Sequence, residues 1–199
     1  ASGDFPEGTW LAFQKALDQG ADQLELDIHL SKDSHIIINH DADLNANVGI
    51  NDDIKDLTLD QLKGLDAGHE FTSDEGASYP FRGIGLSLLT LPEFMDYFPH
   101  EKINIEIKAN DKALSEALWT LIEARDMQDS VVVASQHTKA MKHFRDVSDG
   151  DVKTSATIAE LVLASVAWST GFGWAYKPKF EVAQIPYAII TQPYINFFH

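Results

Sequence analysis

The sequence predicts an α/β fold with parallel strands, on three observations. Short apolar or alternating strands take turns with amphipathic helices along the whole chain. Val131-Val132-Val133-Ala134 is a continuous apolar run, as expected of a parallel strand covered on both faces. No segment repeats at solenoid spacing. These features fit either an open doubly wound sheet or a closed barrel.

The elements follow in order. Thr9 opens a helix with Trp10, Phe13 and Leu17 on one side and Gly20 as its stop. Gln23 to Leu30 alternates strictly with period two and predicts a strand. Ser31-Lys32-Asp33-Ser34 is a turn, and His35 to His40 is a second strand. Asn45 to Asp56 reads as a polar loop. Thr58 with Gln61, and Thr90 with Glu93, are capping boxes that start helices, the second helped by Pro92. Ile103 to Lys108 alternates again. Asp111 to Arg125 is helical, with Leu114, Leu118, Leu121 and Ile122 on one face. After the Val131 strand come a helix from about Thr138, a strand near Val152–Ser155, a helix capped by Thr157 and Glu160, and a weaker strand at Phe180–Ile185.

Composition narrows the function. The chain has 199 residues, 44% hydrophobic and 23% charged, which suits one globular core. Fifteen Lys and Arg stand against 31 Asp and Glu, a formal charge of −16. Nucleic acid is excluded as a partner, because neutralising phosphates needs a basic face. Anionic lipid is excluded as an electrostatic docking surface for the same reason. Excess carboxylate suits a divalent cation. The absence of cysteine removes disulfides, thiolate zinc and cysteine nucleophiles, and fits any compartment. No stretch reaches the roughly 18 apolar residues of a membrane span. Ala1-Ser2-Gly3-Asp4 has neither the basic start nor the apolar core of a signal peptide.

Chemistry gathers on two strands. Glu25 and Asp27 are two apart, so both leave one face while Leu24, Leu26 and Ile28 leave the other. If the apolar face meets helices, two carboxylates point inward, at a cost unless a cation lies between them. A half-exposed strand with a polar face is the alternative. Glu106 and Lys108 repeat the spacing, where a salt-bridged polar face is again the plainer reading. Together they bring three carboxylates and one ammonium onto neighbouring strands, a set of oxygen ligands suited to Mg²⁺ or Ca²⁺. The hairpin at Lys32-Asp33 returns His40 toward Glu25 and Asp27, where it can act as a general acid or base. His29, His35, His69, His100, His137, His143 and His199 have no such setting and read as surface or packing residues. No glycine-rich phosphate loop follows a strand.

Pro6-Glu7-Gly8-Thr9, Glu25-Leu26-Asp27 with Lys32-Asp33, His40-Asp41 and Asn104-Ile105-Glu106-Ile107-Lys108 occur in that order. The sequence thereby resembles the glycerophosphodiester phosphodiesterase family over essentially the whole chain. That family reads His-Arg-Gly, Pro-Glu-Asn-Thr, Glu-Leu-Asp with Lys-Asp-Gly, His-Asp and Glu-Ile-Lys. The resemblance implies a (β/α)8 barrel with its site at the carboxyl ends of the strands. It implies metal ligation by Glu25, Asp27 and Glu106, acid–base catalysis by His40, phosphate binding by Lys108 and a substrate-side place for Glu7. The implied reaction is metal-dependent hydrolysis of a glycerophosphodiester to glycerol 3-phosphate and an alcohol.

Three departures stand out. The His-Arg-Gly motif with the other catalytic histidine would fall before Ala1. Gly8 replaces the asparagine of Pro-Glu-Asn-Thr, and Ser135 is followed by Gln136 where the family often has Ser-Phe. Five barrel strands are expected, near Glu25, Glu106, Val132, Lys153 and Val182, without the first and the last two. Residues 1–199 therefore read as a single barrel domain, incomplete at both ends. Two other readings follow from the resemblance and from Trp168–Phe180, an aromatic segment hinged by Gly171 and Gly173. One is phospholipase D-like activity on lysophospholipids, with that segment contacting lipid rather than packing on the barrel. The other is a catalytically silent barrel that binds a phosphorylated ligand or a partner protein.

Overall fold

A computed structural model describes residues 2–184. Helix α1 (Trp10–Asp18) leads to strand β1 (Leu24–Leu30), which turns back as β2 (Ile36–Ile38). Three short helices follow, α2 (Asn45–Val48), α3 (Leu59–Lys63) and α4 (Leu91–Tyr97). The chain then alternates through β3 (Ile103–Ile107), α5 (Lys112–Ala124), β4 (Val131–Ala134), α6 (Thr138–Val147), β5 (Lys153–Thr154) and α7 (Ile158–Ser169). The sheet order is β2-β1-β3-β4-β5. Strands β1, β3, β4 and β5 are parallel, and β2 is antiparallel to β1.

Local chemistry sets the boundaries. Thr9 caps α1 by accepting from the Ala12 amide. Reciprocal capping boxes close the starts of α3, α4 and α7 at Thr58/Gln61, Thr90/Glu93 and Thr157/Glu160. Each satisfies amides that a helix start leaves unpaired and contributes about 0.5–2 kcal/mol. Glu93 also pairs with Lys63, so the second box ties α4 to α3.

The period-two pattern becomes a two-faced sheet. Leu24, Leu26, Ile28, Ile103, Ile105, Ile107, Val131 and Val133 point outward, against Phe13 of α1, Phe94 and Met95 of α4, Leu118 of α5 and Phe144 of α6. Complete burial of one such side chain contributes about 1.5–3 kcal/mol, which makes this layer the main source of stability. In register on the other face stand Glu25 beside Asn104, and Asp27 beside Glu106.

Four features differ from the sequence expectations. The Asn45–Asp56 loop contains α2 and a 3-10 turn at Ile54–Asp56. Leu44, Val48 and Ile54 are pulled into a second core with Ile37, Leu62, Ala67, Leu86 and Leu88. The second strand is shorter than His35–His40, because pairing with β1 ends at Ile38. Its last backbone tie is the Asn39 amide to the Asp27 carbonyl at 3.1 Å. Of the predicted Phe180–Ile185 strand, Val182 forms a parallel bridge to Ser155, and Ile185 lies outside the described residues. The described sheet thus holds four laddered parallel strands and that bridge, rather than five barrel strands. Finally, α7 buries none of its residues, and Trp168, Phe172 and Trp174 are 71%, 63% and 86% exposed. Among the described residues these three aromatics therefore do not pack on the barrel, whereas Tyr176 and Phe180 are half-buried and Tyr176 donates to the Glu160 carbonyl at 3.4 Å.

Candidate metal centre

Glu25, Asp27 and Glu106 each offer an oxygen, and the three atoms lie within 4.8 Å of one another. Their convergence follows from the strands. Asp27 and Glu106 are register partners on β1 and β3, and Glu25 stands one pleat below on the same face. Two oxygens on one Ca²⁺ or Mg²⁺, each at about 2.0–2.6 Å, are separated by no more than roughly twice that distance. The cluster can hold such an ion.

Its electrostatics point the same way. Lys108 Nζ sits 3.2 Å from Asp27 Oδ1 and 3.5 Å from Glu106 Oε2. One ammonium among three carboxylates leaves negative charge uncompensated. Glu25 is exposed at its outer edge, yet its carboxyl is pushed up to about 7, first by partial desolvation and then by Asp27 and Glu106. Burial also raises Asp27, against the pull of Lys108. Burial disfavours the Lys108 charge, but Asp27 and Glu106 outweigh it and hold the ammonium above its ordinary pKa. Asp27 Oδ1, though close to the ammonium, lies outside hydrogen-bond geometry and is buried without a hydrogen-bonding partner. Paired with the ammonium but without an aligned donor, that oxygen is one a hard cation could coordinate.

His40 follows the end of the β1–β2 hairpin, half exposed, with Nδ1 2.9 Å from Asp41 Oδ1. It lines a cavity of about 280 Å³ with Glu7, Glu25 and Asp27. A more open depression of about 710 Å³ lies on the loop side, lined by residues that include Asp41, Asp43, Glu70 and Tyr79. It contains none of Glu25, Asp27 and Glu106, whereas the smaller cavity takes in Glu25 and Asp27 but not Glu106 or Lys108.

The departures from the family pattern have physical readings. Gly8 has φ +69°, and a Cβ there would meet the Ile38 carbonyl oxygen at 3.3 Å. Glycine and asparagine are the residues that enter this left-handed region most readily, which accounts for the exchange. Gln136 is exposed, while Ser135 is buried and donates to the Ile107 carbonyl at 2.7 Å.

Three residues outside the predicted set border the site. Of the histidines read as surface or packing residues, His29 is buried, two positions after Asp27 on the same face, and burial lowers its pKa. The strict alternation of β1 already carried that signal. Asn104 is buried beside Glu25 with Oδ1 unpartnered. His137, exposed as expected, places Nε2 2.9 Å from the Lys108 carbonyl, a contact set by the chain path after β4 that no motif announced.

Comparison with known proteins agrees with this arrangement. The model of the "Glycerophosphoryl diester phosphodiesterase family" matches residues 1–188. A glycerophosphodiester phosphodiesterase of Bacillus altitudinis is 35% identical, covering 71% of this chain and 57% of its own. A lysophospholipase D of Rattus norvegicus is 28% identical over 81% of this chain and 51% of its own. A phosphodiesterase of Oleispira antarctica, solved with the product sn-glycerol-3-phosphate, superposes with a TM-score of 0.66 at 20% identity, covering 93% of this chain and 81% of that one. This chain spans just over half the length of the curated relatives it matches first. The parallel β/α arc and the solved neighbours bear out the barrel fold class, and with the family match over residues 1–188 the chain belongs to the glycerophosphoryl diester phosphodiesterase family.

Proposed function

We propose that the protein is a metal-dependent phosphoric diester hydrolase that cleaves a glycerophosphodiester to glycerol 3-phosphate and an alcohol. We place residues 1–199 within one barrel domain. The observation that carries the reading is the meeting of Glu25, Asp27 and Glu106 within 4.8 Å, in a chain of this family. These carboxylates would hold Ca²⁺ or Mg²⁺, and the ion when bound neutralises and polarises the phosphodiester. Lys108, tethered between Asp27 and Glu106, adds positive charge where the phosphate oxygens gain negative charge. An Nδ1–H donated to Asp41 leaves the His40 Nε2 lone pair free to take a proton from the attacking hydroxyl as the bond from phosphorus to the alcohol oxygen breaks, and that oxygen takes up a proton from solvent. Glu7, on the wall of the same cavity, accepts a hydrogen bond from a glycerol hydroxyl.

Glycerophosphocholine turnover tests the reading. Thorough chelation, or Glu106→Gln, should lower metal affinity and turnover together. Full activity under either condition would sink the metal mechanism, and no turnover even with metal present would favour the silent barrel.

A second substrate class is favoured by one observation, the exposure of Trp168, Phe172 and Trp174. With the lysophospholipase D relative, it supports lysophospholipid as a further substrate whose acyl chain meets these aromatics. Trimming the three should then lower lysophospholipid turnover more than glycerophosphocholine turnover. Equal loss on both would remove the lipid contact.

A further inference from the structure

We propose that His29 is a positioning residue for His40. The inference rests on the acid–base reading of His40 above.

The β1–β2 ladder stops at Ile38, and Asn39 makes the last backbone tie to β1. Beyond it, no backbone–backbone hydrogen bond reaches His40 among the described residues. The His40 carbonyl instead lies 3.2 Å from His29 Nε2. A carbonyl only accepts, so the contact requires the proton on Nε2. His29 is 7% exposed and fixed on β1, the strand that carries Glu25 and Asp27. One side chain thus references the His40 main chain to the strand bearing two of the three carboxylates.

The neighbouring residues are held separately. Buried Asn39 donates Nδ2 to the Asp41 carbonyl at 2.8 Å, and Asn47 donates to Asn39 Oδ1 at 2.8 Å. Asp41 in turn holds the His40 ring. Among the described residues, only the His29 contact acts on the His40 backbone itself. Without it, the imidazole keeps its Asp41 partner, but the nearest tie to β1 lies one residue back, at the Asn39 amide. Proton transfer is sensitive to such a shift, since a displacement of about 1 Å can cost roughly 100-fold in rate.

Two substitutions in the intact natural protein separate positioning from bulk. His29→Leu fills similar space without a donor, and His29→Gln restores an amide N–H near the lost ring nitrogen. His29→Leu should lower kcat for glycerophosphocholine by about 10- to 100-fold. KM and Ca²⁺ affinity, the latter by titration calorimetry, should stay close to the wild-type values. His29→Gln should recover most of the lost kcat. Wild-type kcat in a folded His29→Leu overturns the inference. So does a His29→Gln as slow as His29→Leu, or a loss of kcat that merely tracks lost thermal stability and Ca²⁺ affinity.

A measurement on the unmodified protein needs no variant to fold. Nitrogen-15 spectra at about pH 8, where an ordinary histidine is neutral, read the tautomer of His29. An Nε2–H tautomer supports the contact, and an Nδ1–H tautomer overturns it. His40→Ala with wild-type turnover would instead overturn the acid–base reading, and this inference with it, whatever the tautomer.

Discussion

On their outer faces β1 and β3 present Leu24, Leu26, Ile28, Ile103, Ile105 and Ile107, all essentially buried under the helices. On their inner faces the same strands present Glu25, Asp27, Asn104 and Glu106. The outer side chains are apolar and closely packed. The inner ones repel one another, and Asp27 Oδ1 and Asn104 Oδ1 are buried without hydrogen-bonding partners. A shift of one residue along a strand therefore separates groups that stabilise the fold from groups that cost stability and supply chemistry. If that division is real, substitutions on the two faces should fail in opposite ways.

The largest expected effect lies on the inner side. His40→Ala should lower kcat by about 10²–10⁴-fold, the usual contribution of general acid–base catalysis. Ca²⁺ affinity and thermal stability should change little, since the ring is 52% exposed and its ion pair with Asp41 lies at the surface. A variant that loses stability as well as rate would blur the division.

On the outer side the opposite is expected. Ile105→Ala removes a fully buried side chain from the centre of the main core. It should destabilise the protein by about 2–5 kcal/mol in urea unfolding. In conditions where the variant stays folded, kcat should remain near wild type. A large loss of kcat in folded Ile105→Ala would mean that outer packing sets inner geometry more tightly than the two-face picture allows.

Lys108→Ala tests the border between the faces. The ammonium is 17% exposed and makes both of the cluster's ion pairs. Its removal should raise KM for the phosphodiester and lower kcat, by less than His40→Ala, because the carboxylates and His40 remain. It should also lower stability without metal while raising Ca²⁺ affinity, as more negative charge is left for the ion to neutralise. Unchanged kinetics would remove Lys108 from the phosphate-binding role.

How much of this could be read from the chain depends on periodicity. The two faces of β1 and β3 were legible because Glu25-Leu26-Asp27 and Ile105-Glu106-Ile107 alternate without exception, and the helix starts because Thr58, Thr90 and Thr157 each have a capping partner three residues on. His29 obeys the same alternation, and only its burial and its contact with His40 needed the structure. The second core was not legible. Leu44 and Val48 are four apart, but one such pair before Gly49 is too short to signal a helix, Ile54 shares no period with them, and only the packing of residues 40–88 gathers the three. A metal at Glu25, Asp27 and Glu106 and a proton-transfer role for His40 were legible in strand spacing and the hairpin as well as in motif order, whereas the roles of Lys108 and Glu7 came from motif order alone. The surroundings of α7 were also hidden, since its sequence is apolar on several sides and no single face points to a partner.

The smallest expected effect is a pH dependence that belongs to the inner face alone. Glu25 is raised from 4.5 to about 7, first by burial and then by Asp27 and Glu106. A carboxyl with a higher pKa in the folded state keeps a proton there that the unfolded chain has released. Its contribution is therefore fully present below the unfolded value and is lost as pH rises through about 7. Without metal, stability should fall between about pH 4.5 and 7, with Asp27 adding a slope of the same sign at the acidic side. Glu25→Gln should flatten much of that slope, because the amide has nothing to ionise. Ca²⁺ binding requires the charged carboxylate, so near pH 6 uptake should release close to one proton, and at about pH 9 almost none. Calorimetry in buffers of different ionisation enthalpy counts those protons directly. If Glu25→Gln keeps the wild-type slope and the wild-type proton release, the charge strain of the inner face resides in Asp27, and Glu25 does not share it.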